Sequence, residues 1–166
     1  MKKIVLTLLA GTLMATASMA QKFGYVNSQE LLSVMPEMTK ADADLKAYAK
    51  TYQDQLEVMG KEFEKKGTEY QTNEKTYSEA VKEVKQKELQ SLETRIRETQ
   101  SSAQEKVSKK KEELYKPILE KADKAIKDVA KEKGFDYVFD ASAGSMLYAK
   151  DSDNILPLVK AKLGMK

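Results

Sequence analysis

The chain has 166 residues, of which 33% are charged, and it contains neither Cys nor His. Disulfides and thiolate metal sites are therefore excluded, and the commonest general base at neutral pH is missing. The formal net charge of +3 gives no indication of a nucleic-acid partner. From these totals we predict no enzyme, no catalytic residue, no metal or cofactor site and no nucleic-acid binding.

The first twenty residues have the features of a secretory signal peptide. Lys2 and Lys3 precede an apolar run over residues 4–14, and the segment ends Ser-Met-Ala. The run is too short to cross a bilayer, and no later stretch approaches the roughly 18 to 20 apolar residues that a membrane helix needs. We expect cleavage before Gln21. The signal peptide holds two lysines and no acids, so the mature chain keeps 27 basic and 26 acidic residues.

The mature sequence opens with a predicted strand and a short helix. Residues 22–26 alternate large apolar with small or polar side chains, as a half-buried strand does. Ser28 predicts the start of a helix, with its side chain capping the amides that follow. Pro36 interrupts that helix.

The middle of the chain predicts long helices with a narrow apolar stripe. Spacings of three, four and seven residues, typical of a coiled-coil seam, separate Leu45, Tyr48, Tyr52, Leu56, Met59, Phe63 and Tyr70. Gly60 and Gly67 lie in the far half of this helix. Each costs up to about 1 kcal/mol relative to Ala, so we expect this half to bend or fray more easily.

A turn is predicted between residues 72 and 75. Thr76 and Glu79 have the spacing of a capping box, which indicates a new helix and hence a helical hairpin. One uninterrupted helix is the alternative. The returning stripe comprises Val81, Val84, Leu89, Leu92, Ile96, Ala103, Val107 and Leu114. Pro117 should interrupt it, and a body helix with a denser stripe should follow and end at Gly134.

The C-terminal segment predicts a strand hairpin and a short helix. Residues 135–140 and 146–149 are β-prone and flank a predicted turn at residues 143–145. Asp153 is the predicted cap of the last helix, and Pro157 is tolerated in its first turn.

These elements predict a fold that is mainly α with a small β part. One N-terminal and two C-terminal strands leave unpaired sheet edges, which several copies could satisfy by closing one small barrel. The predicted architecture is a long antiparallel helical hairpin, a coiled-coil tentacle, projecting from an oligomeric β-barrel body. Residues 21–36 and 114–166 would form the body, and residues 37–113 the tentacle.

Hairpins around a shared axis would enclose space in which an unfolded chain could be held by many weak contacts. Tyr and Met provide apolar contact without one fixed geometry. Stripe residues at heptad spacing are typical of the seam between the two helices, which favours off-seam residues such as Met38, Val58 and Tyr77 as client contacts. The sequence alone leaves both sets open as candidates.

The two ends of the mature chain carry recognisable motifs. Residues 23–32 read FGYVNSQELL with Pro36 soon after, and residues 134–142 read GFDYVFDAS and are followed by MLYA at residues 146–149. These segments resemble the Skp/OmpH family of periplasmic chaperones. The resemblance implies a homotrimer in the periplasm that binds unfolded outer-membrane proteins and prevents their aggregation without ATP. By their match to the family's strand motifs, the barrel residues would be Phe23, Tyr25, Val26, Val138, Phe139, Met146 and Tyr148.

The predicted tentacle departs from the family in its charge. Residues 37–77 contain seven Lys against nine acids, and residues 78–113 contain nine Lys or Arg against eight acids. Charge attraction to acidic clients or to lipopolysaccharide, often invoked for the family, has little basis here. Two alternatives stay open: a structural coiled coil of the envelope without client binding, and a lipopolysaccharide or membrane-surface binder.

Overall fold

The structure, a computed structural model, describes residues 21–165, and the predicted signal peptide lies outside these residues. The chain divides into two compact units. One combines the two ends of the chain, residues 21–29 and 124–165 of the described part, and we call it the terminal unit. The other comprises residues 30–123 and contains the helical hairpin.

Four helices and two strands follow one another in the described chain. They are β1 (Phe23–Val26), α1 (Ser28–Val34), α2 (Pro36–Asn73), α3 (Glu79–Lys133), β2 (Tyr137–Asp140) and α4 (Leu156–Lys162). Two short 3₁₀ turns at Glu74–Thr76 and Asp151–Asp153 precede α3 and α4 respectively. None of the helices among these residues combines the length and apolar character that crossing a bilayer requires.

The sheet of the terminal unit consists of β1 and β2 in parallel, with Phe23 opposite Tyr137 and Val26 opposite Asp140. Within residues 21–165, one further bridge joins Tyr25 to Asn154. The predicted strand hairpin is therefore wrong, because residues 146–149 form no strand here. Instead of residues 146–149, the N-terminal strand β1 pairs with β2. The Phe23 ring stacks on the Tyr137 ring, with ring centres 5.7 Å apart.

The core of the terminal unit is small and apolar. Its buried side chains are Val26, Ala125, Val129, Ile155, Leu156 and Val159. Gly24 lies so close to this core that a Cβ at its position would be 3.0 Å from the Phe135 ring and 3.1 Å from Ile155. The absence of a side chain at residue 24 is what allows β1 to approach its neighbours.

The predicted Asp153 cap of the last helix is wrong, because Ile155 occupies the N-cap position and its side chain makes no capping hydrogen bond. Asn154, and not Asp153, accepts a hydrogen bond from the Leu156 backbone N–H, at 2.9 Å. The backbone bridge from Tyr25 to this segment positions Asn154 just ahead of the helix, which the local sequence does not reveal. Pro157 occupies the first turn of α4, as predicted.

Helix α3 passes through Pro117 without a break, so the predicted interruption is wrong. A proline inside a helix removes one backbone hydrogen bond and costs about 3 kcal/mol. Apolar packing on both sides compensates here, because Leu114 is half-buried and Ile118 and Ala122 are buried. The helix ends as predicted at Gly134, whose φ is 66°. The Phe135 N–H then donates to the Ala130 carbonyl at 2.9 Å, as in a Schellman motif.

The helical hairpin is confirmed, but its second arm begins later than predicted. Thr76 donates its hydroxyl proton to the Asn73 carbonyl and so completes the turn. The Ser78 hydroxyl accepts from the Val81 N–H at 3.4 Å, and α3 starts at Glu79. The predicted capping box is therefore wrong. Similarly, the Ser28 hydroxyl donates to Asp140 at 2.6 Å instead of capping α1.

Candidate functional site

The seam between the two arms of the hairpin consists of the predicted stripes, with two exceptions. All seven stripe residues of α2 are buried or half-buried. On α3 the same holds from Leu89 to Leu114, but Val81 and Val84 are exposed. Both valines lie in the first two turns of α3, and the packing between the arms leaves them exposed.

Polar side chains also join the arms. Tyr115 donates to Asp42, and Lys121 donates to Glu37. The hydrogen bond from Lys121 lowers the pKa of Glu37, and the bond to Asp42 raises the pKa of the Tyr115 hydroxyl. Near the turn, Gln86 donates to the Tyr70 hydroxyl at 2.8 Å. Such exposed contacts contribute little stability, so the apolar seam holds the arms together.

A groove with an apolar floor lies between the arms, and we call it the glutamine groove. Its volume is about 530 Å³. Its residues are Ala49, Tyr52, Gln53, Leu56, Gln100, Ala103, Gln104, Val107, Ser108 and Lys111. Lys111 is the only charged member of this set. Lys106 lies beside the groove with its Nζ 5.8 Å from the centre of the Tyr52 ring.

A second groove of similar volume lies nearer the turn of the hairpin, and we call it the charged groove. Its residues are Glu62, Lys66, Val84, Lys87, Glu88, Ser91, Leu92 and Arg95, of which five are charged. Gln53 and Glu62 are nine residues apart on α2, or about two and a half helical turns. The two grooves therefore open on opposite faces of the hairpin.

The predicted client contacts are not brought together by the fold. Val58 is 67% exposed, whereas Met38 is half-buried in the first turn of α2 and Tyr77 is half-buried in the turn that precedes α3. None of the three is among the residues of either groove. Their role as client contacts stays a prediction.

Sequence reasoning missed the glutamine rim of the apolar groove. Gln100 and Gln104 are one turn apart on α3, and Gln53 follows Ala49 by one turn on α2. The signal that could have found them is a row of uncharged residues beside the seam in a chain of which a third is charged.

The terminal unit exposes several of the predicted barrel residues. Phe23 and Phe139 are exposed and form one aromatic cluster with Tyr137. Tyr148 is 83% exposed and its neighbour Leu147 98% exposed. The other predicted barrel residues are buried or half-buried, namely Tyr25, Val26, Val138 and Met146.

Asp140 ties the end of β2 to the start of α1. Its carboxylate accepts hydrogen bonds from the Ser28 N–H, the Ser28 hydroxyl and the Ser142 N–H, at 3.2, 2.6 and 2.9 Å. Burial raises the pKa of Asp140, but these hydrogen bonds outweigh it and lower the pKa to about 2. The carboxylate thus acts as a charged connector. In residues 21–165 no group of acidic side chains is arranged to hold a metal ion.

Comparison with known proteins gives the family. The sequence matches the OmpH-like outer membrane protein family over residues 22–163. An uncharacterized protein of Aquifex aeolicus (strain VF5) is 35% identical over 139 residues, 82% of each chain. A crystal structure from Caulobacter crescentus CB15, described as a candidate OmpH-like outer membrane chaperone, has a TM-score of 0.75 at 15% identity. It covers 86% of this chain and 83% of its own, which shows a shared fold. The resemblance of the chain's two ends to the Skp/OmpH family is confirmed, and the chain belongs to the OmpH-like outer membrane protein family.

Proposed function

We propose that the protein is an ATP-independent periplasmic holdase chaperone. It binds unfolded outer-membrane proteins in a cavity between helical tentacles and prevents their aggregation. The observation that carries this proposal is membership in the OmpH-like family over nearly the whole mature chain. The Caulobacter protein of the same fold, described as a candidate outer membrane chaperone, supports it. The proposal includes no catalytic step and no cofactor.

The surface chemistry of the hairpin suits weak binding at many points. Apolar side chains such as Val58 and Val84 are exposed singly among charged residues. Each buries a small area on contact and contributes roughly 25 cal/mol per Å² of apolar surface removed from water. Many contacts of this size would retain an unfolded chain without fixing it in one conformation.

The working form in this proposal is a homotrimer. Residues 21–36 and 114–166 would form the barrel body, and residues 37–113 the tentacle. In the described chain β2 has no second strand partner, and the aromatic cluster at Phe23, Tyr137 and Phe139 is exposed. A neighbouring copy could cover both, with the exposed segment at Leu147 and Tyr148 as the pairing strand.

The proposal is tested on the mature chain, residues 21–166, in two measurements on one preparation. Light scattering with size-exclusion chromatography gives the mass, and turbidity reports whether a urea-unfolded outer-membrane β-barrel protein stays dispersed on dilution. We expect a trimer that suppresses turbidity near one trimer per client, without ATP. A monomer or dimer without this activity would favour the structural coiled coil. Binding to lipopolysaccharide that weakens with salt, without client protection, would favour the lipid-surface alternative.

A further inference from the structure

We propose that the glutamine groove is a client seat for extended, uncharged segments in which every second residue is apolar. This inference rests on the proposed holdase function and specifies which surface of the hairpin recognises which part of the client. Apolar client side chains would enter the floor between the arms, and the glutamine amides of the rim would bond the client backbone.

The near absence of charged side chains in the glutamine groove favours an uncharged client segment. Nine of the groove's ten residues are uncharged, whereas five of eight are charged in the groove on the opposite face. Two smaller depressions nearby along α3 are charged as well, with four of seven and five of six charged residues. An unpaired charge loses free energy when it is moved from water to an apolar surface. A neutral client segment therefore fits this groove better than a charged one.

The glutamine amides of the rim can hydrogen-bond the backbone amide groups that every unfolded chain exposes. Gln53, Gln100 and Gln104 each carry an amide that both donates and accepts hydrogen bonds. All three side chains are exposed, so their amides are accessible to a client chain. An extended client segment presents backbone N–H and C=O groups without partners. The amides can satisfy those groups whatever the client's sequence.

The spacing of apolar side chains along the floor of the groove is close to the spacing of side chains on one side of an extended strand. Tyr52 and Leu56 are one turn apart on α2, and Ala103 and Val107 are one turn apart on α3. Four residues of helix rise about 6 Å. Side chains on one side of an extended strand repeat every 6.6 to 6.8 Å, roughly the same distance. Strands of outer-membrane barrels alternate apolar and polar residues, so their unfolded segments carry the required pattern.

The first test compares two isosteric substitutions on one helix. Gln53→Glu introduces a carboxylate at the groove, and Gln55→Glu introduces the same charge at an exposed position outside it. The probe is a fluorescently labelled, urea-unfolded outer-membrane β-barrel protein. We expect Gln53→Glu to weaken its binding about tenfold, because the carboxylate must give up water when an uncharged segment covers it, and Gln55→Glu to leave it unchanged. Equal affinities of the two variants would overturn the inference.

The second test maps the contact directly. A photoreactive benzoylphenylalanine is placed at Gln104 in the glutamine groove or at Ser91 in the charged groove, and cross-linked client peptides are sequenced. We expect several-fold more cross-links at residue 104, to uncharged segments with alternating apolar residues. Equal yields, or segments without that pattern, would overturn the groove assignment while client protection by the unaltered chain persists. Loss of protection in the unaltered chain would instead overturn the holdase proposal itself.

Discussion

At the scale of single residues, Asp140 and Gly24 hold the terminal unit together in different ways. Asp140 supplies a charged acceptor for three donors, and Gly24 supplies space where a side chain would collide with Phe135. Neither residue belongs to an apolar stripe. Their importance follows from neighbours that are distant in the sequence, such as Ser28 for Asp140.

The stability contributed by Asp140 should depend on pH. Its pKa is lowered from 3.8 to about 2, so the stabilisation is present above pH 3.8 and is lost as the pH falls through 2. The carboxylate is largely exposed, and we expect about 1 kcal/mol after allowing for solvent screening. Asp140→Asn should lower the thermal midpoint at pH 7, and the difference from the unaltered chain should shrink towards pH 2. Asp44→Asn, at an exposed position of α2, is the control for the loss of one surface carboxylate.

Two glycine substitutions should have opposite signs. Gly24→Ala would press a methyl group against Phe135 and Ile155, and overpacking of this kind costs about 1 to 3 kcal/mol. Gly60→Ala meets no atom within 4 Å and removes the cost of a glycine inside a helix, so it should stabilise by up to about 1 kcal/mol. Urea unfolding midpoints measure both. A stabilising Gly24→Ala would contradict the close approach of β1.

At the scale of elements, the hairpin owes its stability to a narrow seam. Helix α2 is continuous through Gly60 and Gly67, and α3 is continuous through Pro117. The two elements tolerate unfavourable residues for the same reason, because packing between the arms supplies more free energy than local propensity removes.

The two glycines should nevertheless make their part of α2 open more often. Amide hydrogen exchange should be faster over residues 60–67 than over residues 89–107, where α3 contains no glycine. Mass spectrometry of exchanged peptides provides the comparison. Uniform protection along both arms would show that the seam suppresses the effect of glycine entirely.

At the scale of the whole molecule, the exposed segment between β2 and α4 is the feature that a single copy leaves unexplained. Tyr148 and Leu147 are almost fully exposed although both are large and apolar. Two neighbouring exposed apolar side chains of this size would lose contact with water in an interface between copies. The homotrimer that we propose would cover it.

A charge at this surface should separate the copies. Tyr148→Asp should convert the trimer to monomers at micromolar concentration and leave the helical circular dichroism signal intact, because the single chain does not bury residue 148. The matched control is Val58→Asp, at a residue 67% exposed on the hairpin, which should remain trimeric. Analytical ultracentrifugation distinguishes the two. A trimeric Tyr148→Asp variant would argue against the barrel assignment of this segment.

The helical hairpin, the helix end at Gly134 and the position of β1 were predicted correctly from the sequence, because periodicity and helix-ending residues act locally. The parallel pairing of β1 with β2, the cap at Ser78, the hydrogen bond of Asn154 to Leu156 and the passage of α3 through Pro117 became visible only in the folded chain. Strand partners are far apart in the sequence, as β1 and β2 are. Helix caps are hard to predict for a different reason, because neighbouring hydroxyl groups such as those of Thr76 and Ser78 can each cap the same helix start. The glutamine groove could not be predicted from the sequence either, because its two sides come from α2 and α3, and the packing between these helices fixes their register.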